Sequence, residues 1–452
     1  MTATLPHLTT PLSADDQYQM YMDVLDRDSR QVPEVYRISS PFPDVALTVP
    51  ASRYTSREFH DLEVEKVWKK VWQMACREED IPTKGEYVVY DIAGISVIVI
   101  RQADGSIKAH RNVCLHRGRT LKEVDGKVDN FQCQFHGISW NIDGTLRNMP
   151  CKWDFPQVGD SWSLLSVKVD TWGGFVFINL DPDCEPLLDF LGEMPAQFEK
   201  WPLEKRFKQV HVAKILRCNW KVAQEAFMES WHVVATHSQL LPGIGDIVAT
   251  YDTFGNFSRA ITPNAVPSPH LNWQPTEQEM FDALTDRNLD DPMNPIPADI
   301  SAREHIANNR RNHLQNELGE EAQDLSDAEM LDSMVYTLFP NLHPWGSYNR
   351  TLYRFRPYGN DPSMCIMECM ILSPYEGDER PHGAPMHMLG VDDDWTDAPE
   401  LGLLTRVFNQ DGYNMPMVQR GLESDSLQEV TFAEYQETKI RHFHSILEEW
   451  IK

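Results

Sequence analysis

The sequence predicts an α+β protein, a small all-β domain followed by a larger domain that mixes helices with antiparallel strands. Three observations lead there. Residues 84–183 alternate β-branched and aromatic runs with Asp–Gly turns at Asp125–Gly126 and Asp143–Gly144, the texture of antiparallel hairpins. After Pro186 a long helical signal, "NWKVAQEAFMESWHVVATH", is followed by the strand-like "MVYTLFPNLHPWGSYNRTLYRFRPYG" and "SMCIMECMILSPY". The chain then closes on "FAEYQETKIRHFHSILEEWI", which is apolar along one helical face.

The elements follow in order. Residues 1–50, rich in Pro, Asp and Ser, read as an extension with one short helix around "SADDQYQMYMDVLDRD". Residues 51–183 form the first domain, opened by a helix over "SREFHDLEVEKVWKKVW" that Ser56 caps. Residues 184–452 form the second, with a polar, patchily helical stretch at 270–330.

With 41 Lys and Arg against 68 Asp and Glu, the net charge is −27. Such a surface repels nucleic acid and anionic membrane, so neither is expected as a partner. "MTATLPHLTTPLSADDQYQM" lacks the basic and apolar regions of a secretory signal, and "ISVIVI" and "GGFVFINL" are too short to span a bilayer. Eight scattered cysteines fit buried thiols in a reducing compartment, and a cytoplasmic location is expected.

The chemistry begins in "CLHRGRTLKEVDGKVDNFQCQFHGISW", Cys114 to Trp140. Cys114 pairs with His116 and Cys133 with His136, each pair followed by a glycine that permits a tight loop. Two thiolates and two imidazoles would also suit tetrahedral zinc. Zinc motifs, however, pair like with like, whereas here each loop supplies one Cys and one His. That mixing suits a two-iron cluster with two cysteines on one iron and two histidines on the other.

These residues resemble the Rieske [2Fe–2S] signature, C-x-H-R-G and C-x-x-H-G separated by a polar stretch, with "NMPCKWDFP" in the place of the loop that covers the cluster. The resemblance implies a cluster held by Cys114, His116, Cys133 and His136.

A second site lies in "NWKVAQEAFMESWHVVATH". Glu225, Glu229 and His232 stand at i, i+4 and i+7, one face of a predicted helix, and His237 follows off that stripe. For both imidazoles to reach one ion, the helix must end or distort between them. After a Rieske motif, this pattern resembles the catalytic segment of Rieske non-haem iron oxygenase α subunits. The resemblance implies a helix-grip-like catalytic domain with Fe²⁺ on a 2-His-1-carboxylate triad. His232 and His237 match its histidines, and "VFNQDGYNMPMVQRGL" points to Asp411 as the carboxylate, with Asp392, Asp393 and Asp394 as competitors. Glu229 stands where the family commonly has an Asp that bridges the two metal sites across a subunit boundary. Ala226 and Trp231 depart from the commoner Asn and Tyr.

The resemblance further implies O₂-dependent hydroxylation, or oxidative O- or N-demethylation, by a homotrimer that in some members carries a small β subunit. No clean dinucleotide fingerprint is present, since Gly243 and Gly245 lack the third glycine, so electrons come from NAD(P)H through a separate reductase or ferredoxin. Arg117 and Arg119 offer a docking point for an acidic ferredoxin, or hydrogen bonds within the domain. A carrier or redox sensor using the cluster alone is the alternative from another class. An apolar or aromatic substrate is expected, in a pocket drawn from Phe227, Leu240, Val248, Phe254, Phe339, Trp345, Tyr348 and Phe408. Arg350 or Arg354 would meet a carboxylate on it.

Overall fold

A computed structural model describes residues 12–159, 161–285, 295–377, 379–424 and 426–452. The hairpin-rich region builds a seven-stranded sheet from β1 (Gln73–Arg77), β2 (Glu86–Ile92), β3 (Ile95–Arg101), β4 (Ile107–Arg111), β5 (Gly126–Lys127), β6 (Ser166–Trp172) and β7 (Phe175–Asn179). Its order is β1-β7-β6-β4-β3-β2-β5. Three short strands, Asn130–Gln132, Ser139–Asn141 and Leu146–Asn148, form a separate small sheet. Its buried Phe131 and Trp140 share an apolar cluster with Ile98, Ile100, Cys114 and Cys133. The cysteines are thus fixed by core packing.

The second sheet has eight strands: β8 (Arg206–Leu216), β9 (Thr250–Phe254), β10 (Phe257–Thr262), β11 (Ser333–Leu338), β12 (Leu342–Pro344), β13 (Thr351–Pro357), β14 (Cys365–Pro374) and β15 (His387–Leu389). Their order is β9-β10-β11-β12-β13-β14-β8-β15, antiparallel except for the edge pair β8–β15. Six helices matter to the site or its frame: α1 (Ala14–Leu25), α2 (Arg57–Glu63), α3 (Trp220–Glu225), α4 (Val233–Thr236), α5 (Leu404–Leu422) and α6 (Thr438–Ile451). Ser56 caps α2 by accepting from the Phe59 N–H, as its sequence predicts.

The N-terminal stretch is more closely integrated than an extension implies. Tyr21, Met22, Val24 and Leu25 of α1 are buried in the main core, and the Tyr21 hydroxyl donates to Asp332 at 2.8 Å. Thr48–Pro50 pairs with Glu429–Thr431, pinning the segment between α5 and α6. The part of the extension before Leu12 lies outside the described residues.

A charged knot joins the two sheets. Glu368 of β14 is fully buried and faces Arg354 of β13 across the ladder. It accepts from Arg354, Arg356 and His211 at 2.6–2.9 Å. The guanidinium of Arg354 also donates to the carbonyls of Met74 and Ala75 in β1, and that of Arg356 to Asp91 in β2. Arg354 is therefore committed to this junction, and Arg350 pairs with Glu317. Neither arginine is free for a substrate carboxylate, which corrects that expectation. Burial opposes its charge, but the two guanidiniums hold the Glu368 carboxyl well below its ordinary range. No described helix is long and apolar enough to cross a membrane. Of the eight cysteines, all unpaired, Cys151 is exposed, contrary to the buried-thiol expectation.

Candidate metal centres

Two loops of matching backbone present the first set of donors. In one, the Cys114 N–H donates to Arg119 O and the Gly118 N–H to Cys114 O; in the other, Cys133 N–H reaches Ile138 O and Gly137 N–H reaches Cys133 O. Both glycines have positive φ, +78° and +74°, which L side chains rarely adopt. The loops differ in one respect: the histidine is the second residue after Cys114 but the third after Cys133. The cysteines are buried at 2% and 1%, while His136 is exposed and His116 half-buried. The two ring Nδ1 atoms lie 3.2 Å apart.

Cys114 lies beside Cys133, and the backbone N–H groups of His116 and Arg117 point at its sulfur. Such hydrogen bonds stabilise negative sulfur, as an iron–sulfur cluster requires. The donor set therefore fits a cluster with sulfur ligands inward and imidazoles toward solvent. Phe155 of the covering loop lies edge-on to His116 at 5.6 Å. Arg117 sits over the exposed Phe135 ring at 5.3 Å, whereas Arg119 turns back to Thr120 O and Glu123.

The second set comes from α3, the turns after it, and α5. Asn219 caps α3 by accepting from Lys221 N–H and reaches Pro362 O. Its own N–H donates to Gln419 of α5. Lys221 and Trp220 both reach the buried Glu63 of α2. The Asn-Trp-Lys motif thus locks this segment to its two neighbours.

The single long helix expected over 220–237 is not present. α3 ends at Glu225, and α4 begins only at Val233. Side chains compete for the backbone in between: Glu229 accepts the His232 N–H at 2.9 Å, and Ser230 Oγ donates to Asp246 O. One break precedes His232, and α4 itself ends at Thr236 with His237 in a non-helical cap, so the helix also ends between the two histidines, as their sharing of one ion requires.

α5 supplies the third member. Asp411 Oδ1 lies 2.9 Å from His237 Nε2 and 3.7 Å from His232 Nε2. The donor atoms of His232, His237 and Asp411 all lie within 4.8 Å of one another. Each ring is anchored from behind, His232 Nδ1 on Glu229 at 2.8 Å and His237 Nδ1 on Gln410 at 2.8 Å. An Nδ1–H donated backward leaves Nε2 as the lone-pair nitrogen, the tautomer a metal needs. Burial pushes the His232 pKa down, yet Glu229 and Asp411 raise it to about 9, so the site favours positive charge. Two imidazoles and a carboxylate with anchored tautomers fit ferrous iron.

The competing acids lie elsewhere. Asp394 caps a short turn through Thr396 and accepts from Asn409, Asp393 accepts from Gly390 N–H, and Asp392 pairs with Arg217. Gln410 escapes sequence reasoning, since its only signal is its position beside Asp411.

A cavity of about 440 Å³ adjoins this set. Glu225, Glu229, His232 and Asp411 border it, with Met415, Val418 and Leu422 on the same stripe of α5 as Asp411. None of the eight pocket residues expected from sequence borders it. Phe227, Phe408 and Trp345 instead gather on Tyr353 at 5.0, 5.8 and 5.9 Å between ring centroids. Phe254 stacks on Phe257, Phe339 lies tilted against Phe443, Val248 is core, and Leu240 and Tyr348 are half-buried. Aromatic bulk near a helix is drawn to the sheet it covers, and the cavity wall comes from α5, whose stripe is not legible in the sequence.

Fold and sites together define a two-centre protein, an iron–sulfur domain joined to a mononuclear-iron domain. Residues 71–159 match the Rieske [2Fe–2S] domain, and residues 196–452 match the family of ring hydroxylating alpha subunits, catalytic domain. The second match takes in more than half the chain, which belongs to that family.

Among relatives, the carnitine monooxygenase oxygenase subunit of Escherichia coli (strain K12) is 31% identical over 218 residues, 46% of this chain and 55% of the relative. Chloroplastic choline monooxygenase of Beta vulgaris is 29% identical over 202 residues, 43% and 45% of the two chains. The large oxygenase component of the naphthalene 1,2-dioxygenase system of Pseudomonas putida is 31% identical over 198 residues, 41% and 43%. The chain thus spans about half the length of the curated relatives it matches.

Solved structures agree on the fold. A quaternary ammonium Rieske monooxygenase in complex with L-carnitine gives a TM-score of 0.63 at 16% identity, covering 92% of this chain and 100% of that one. Naphthalene 1,2-dioxygenase from Rhodococcus sp. gives 0.60 at 20% identity, covering 98% and 99%.

Proposed function

We propose that this chain is the terminal oxygenase component of a multicomponent Rieske system, catalysing O₂-dependent hydroxylation of an apolar or aromatic compound. The observation that carries the reading is the meeting of Asp411 with His232 and His237 in a chain that also holds the two Cys–His loops. In this reading Cys114, Cys133, His116 and His136 hold the cluster, and His232, His237 and Asp411 hold iron. Residues 51–183 and 184–452 are the corresponding domains, preceded by the 1–50 extension. When bound, the cluster supplies single electrons and the mononuclear iron supplies O₂ activation.

The protein's own part is placement. Glu229 and Gln410 hold both rings in one tautomer. The apolar stripe of α5 keeps the approach to His232 dry. Electrons come from NAD(P)H by way of a separate reductase or ferredoxin, in the cytoplasm. The chain assembles as a homotrimer, with or without a small β subunit. The exposed His136 of one copy then meets Glu229 of the next, whose carboxylate already accepts from His232. Val222, Met415, Val418, Leu422 and Ile440 give the cavity an apolar wall and support an apolar substrate.

A second reading, oxidative N-demethylation, is favoured by the activities for which the carnitine and choline relatives are named. Phe432, which borders the cavity, suits a methylated ammonium through cation–π attraction. Offering aromatic and N-methylated compounds to the reduced enzyme separates the two: formaldehyde release marks demethylation, and a hydroxylated or dihydroxylated ring marks the first.

Iron analysis with EPR after anaerobic dithionite reduction tests the shared core. About three irons per chain and a Rieske-type signal are expected. A colourless zinc protein would end both readings, and two irons per chain would leave only an electron carrier.

Glu229→Gln tests the bridge. It keeps the shape but removes the charged acceptor behind His232, so iron content and cluster reduction should be unchanged. Single-turnover electron transfer to the mononuclear site should slow by about 10- to 100-fold. An unchanged rate would remove Glu229 from the route.

A further inference from the structure

The cavity beside the triad has a carboxyl that the reading above leaves unused. Glu225 ends α3 and borders the cavity together with Glu229, His232, Asp411 and Glu437. It is held from behind. The Tyr54 hydroxyl lies 3.0 Å from both Glu225 oxygens, and His444 Nε2 lies 2.9 Å from Oε1 and 2.9 Å from the Tyr54 oxygen. Tyr54 is 1% exposed and His444 3%.

On the far side of His444 lies a second cavity of about 230 Å³, bordered by Arg53, His444, Ser445 and Glu448. It is at the surface, since the side chains of Glu448 and Lys452 along it are 47% and 71% exposed. His444 therefore stands between the two cavities. Its Nδ1 lies 3.3 Å from Arg53 Nη1. A guanidinium only donates, so Nδ1 accepts and Nε2 carries the hydrogen that Glu225 receives.

The charges facing Glu225 come from every element packed on it: Arg53, Lys221, Glu63, Glu229, Glu437 and His444. The two nearest cations are bonded elsewhere, Lys221 to Glu63 at 2.6 Å and Arg53 to Glu448 at 3.1 Å. Burial outweighs Tyr54 and these cations and pushes the Glu225 carboxyl up to about 8. At neutral pH it carries its proton.

We propose that Glu225 is the proton donor of the cavity and that His444, with Tyr54, reloads it from the surface cavity. The proposal rests on the oxygenase reading. Inserting one oxygen atom consumes two electrons and two protons, RH + O₂ + 2 e⁻ + 2 H⁺ → ROH + H₂O, and the electron donor supplies only the electrons. Each passage moves one proton and no electron. Glu225 releases its proton into the cavity, and the carboxylate takes the Nε2 proton of His444. In the same step His444 Nδ1 takes a proton from hydronium in the solvent of the surface cavity, so the ring stays neutral, while Arg53 keeps its bond to Glu448. Rotation of the ring about Cβ–Cγ restores the starting tautomer, and a second passage supplies the second proton.

Infrared difference spectroscopy on the metal-loaded protein, without substrate, tests this. Wild type minus Glu225→Gln should show the carbonyl band of a protonated carboxyl at neutral pH, shifted in D₂O. After rapid mixing with D₂O the band should exchange at least ~10-fold more slowly in His444→Phe, and imidazole added to His444→Ala should restore part of the rate. Tyr54→Phe retains the carboxyl and reads the same exchange should Glu225→Gln fail to fold. Absence of the band, or exchange in both His444→Phe and Tyr54→Phe at the wild-type rate, overturns the relay. Neither measurement uses turnover. A protein that exchanges this proton through His444 but oxidises no substrate overturns the oxygenase reading alone.

Discussion

An Asp411→Ala protein is expected to keep its cluster spectrum, to carry about two irons per chain instead of about three, and to lose turnover by more than ~10²-fold. The reason lies in one oxygen atom. Asp411 Oδ1 is what both imidazoles face, at 2.9 and 3.7 Å, and no other carboxylate shares that group of donors among the described residues. Its removal leaves two neutral imidazoles, and a two-ligand site does not retain ferrous iron against water. Removing a group that merely orients a ligand typically costs 10- to 100-fold, and removing the ligand costs more. Asp393→Ala is the control. Its carboxylate is spent on Gly390 N–H in the acidic loop, so iron content and turnover should match wild type. A full iron complement in Asp411→Ala would place the third ligand elsewhere.

The largest stability effect is expected at Glu368. Glu368→Ala leaves Arg354 and Arg356 without their shared carboxylate in a fully buried position, and breaking such a cluster from one side costs about 3–5 kcal/mol. The loss should exceed that of an ordinary buried ion pair. The same guanidiniums hold Met74, Ala75 and Asp91 of the first sheet, so misplacing them loosens the junction of the two sheets. Thermal unfolding followed by both cluster absorbance and far-ultraviolet circular dichroism measures it, with Glu368→Gln falling between.

The pH dependence has a definite sign. A carboxyl held below its ordinary value of 4.5 contributes stability that is complete above that value and disappears as pH falls through the depressed one. The gap between wild type and Glu368→Ala should thus be constant from neutral pH down to about 4.5 and narrow only in stronger acid. A gap that closed at mildly acidic pH would mean that Glu368 is not ionised in the folded protein.

Local chemistry makes the cluster loops legible in the sequence. Cys114, His116, Cys133 and His136 lie within a short stretch, each pair is closed by a glycine, and hairpin turns flank them. A loop whose hydrogen bonds run from Cys to residues four and five positions on is specified by neighbours in sequence. His232 is legible for the same reason. The break ahead of it is not, because it depends on Ser230 meeting Asp246 and on Glu229 turning back to His232. Local propensity favours a continuous helix, and side-chain partners override it.

The pocket escapes a sequence reading for a different reason. Aromatic residues mark a core as readily as a binding face, and only their partners tell which. Phe227 and Phe408 meet Tyr353, whereas the cavity wall comes from Met415, Val418 and Leu422 on a helix interrupted in sequence by Pro416.

The sequence by itself marked the two Cys–His loops, the histidine pair of the second set and the antiparallel texture of the first domain, since each depends on residues close along the chain. Only the tertiary structure decided that Asp411 rather than its acidic neighbours reaches the histidines, that Gln410 orients one of them, and that Glu225 at the cavity meets His444. Those facts depend on how α5 and α6 pack against α3. Packing between segments some 200 residues apart is a property of the folded core, not of any local pattern.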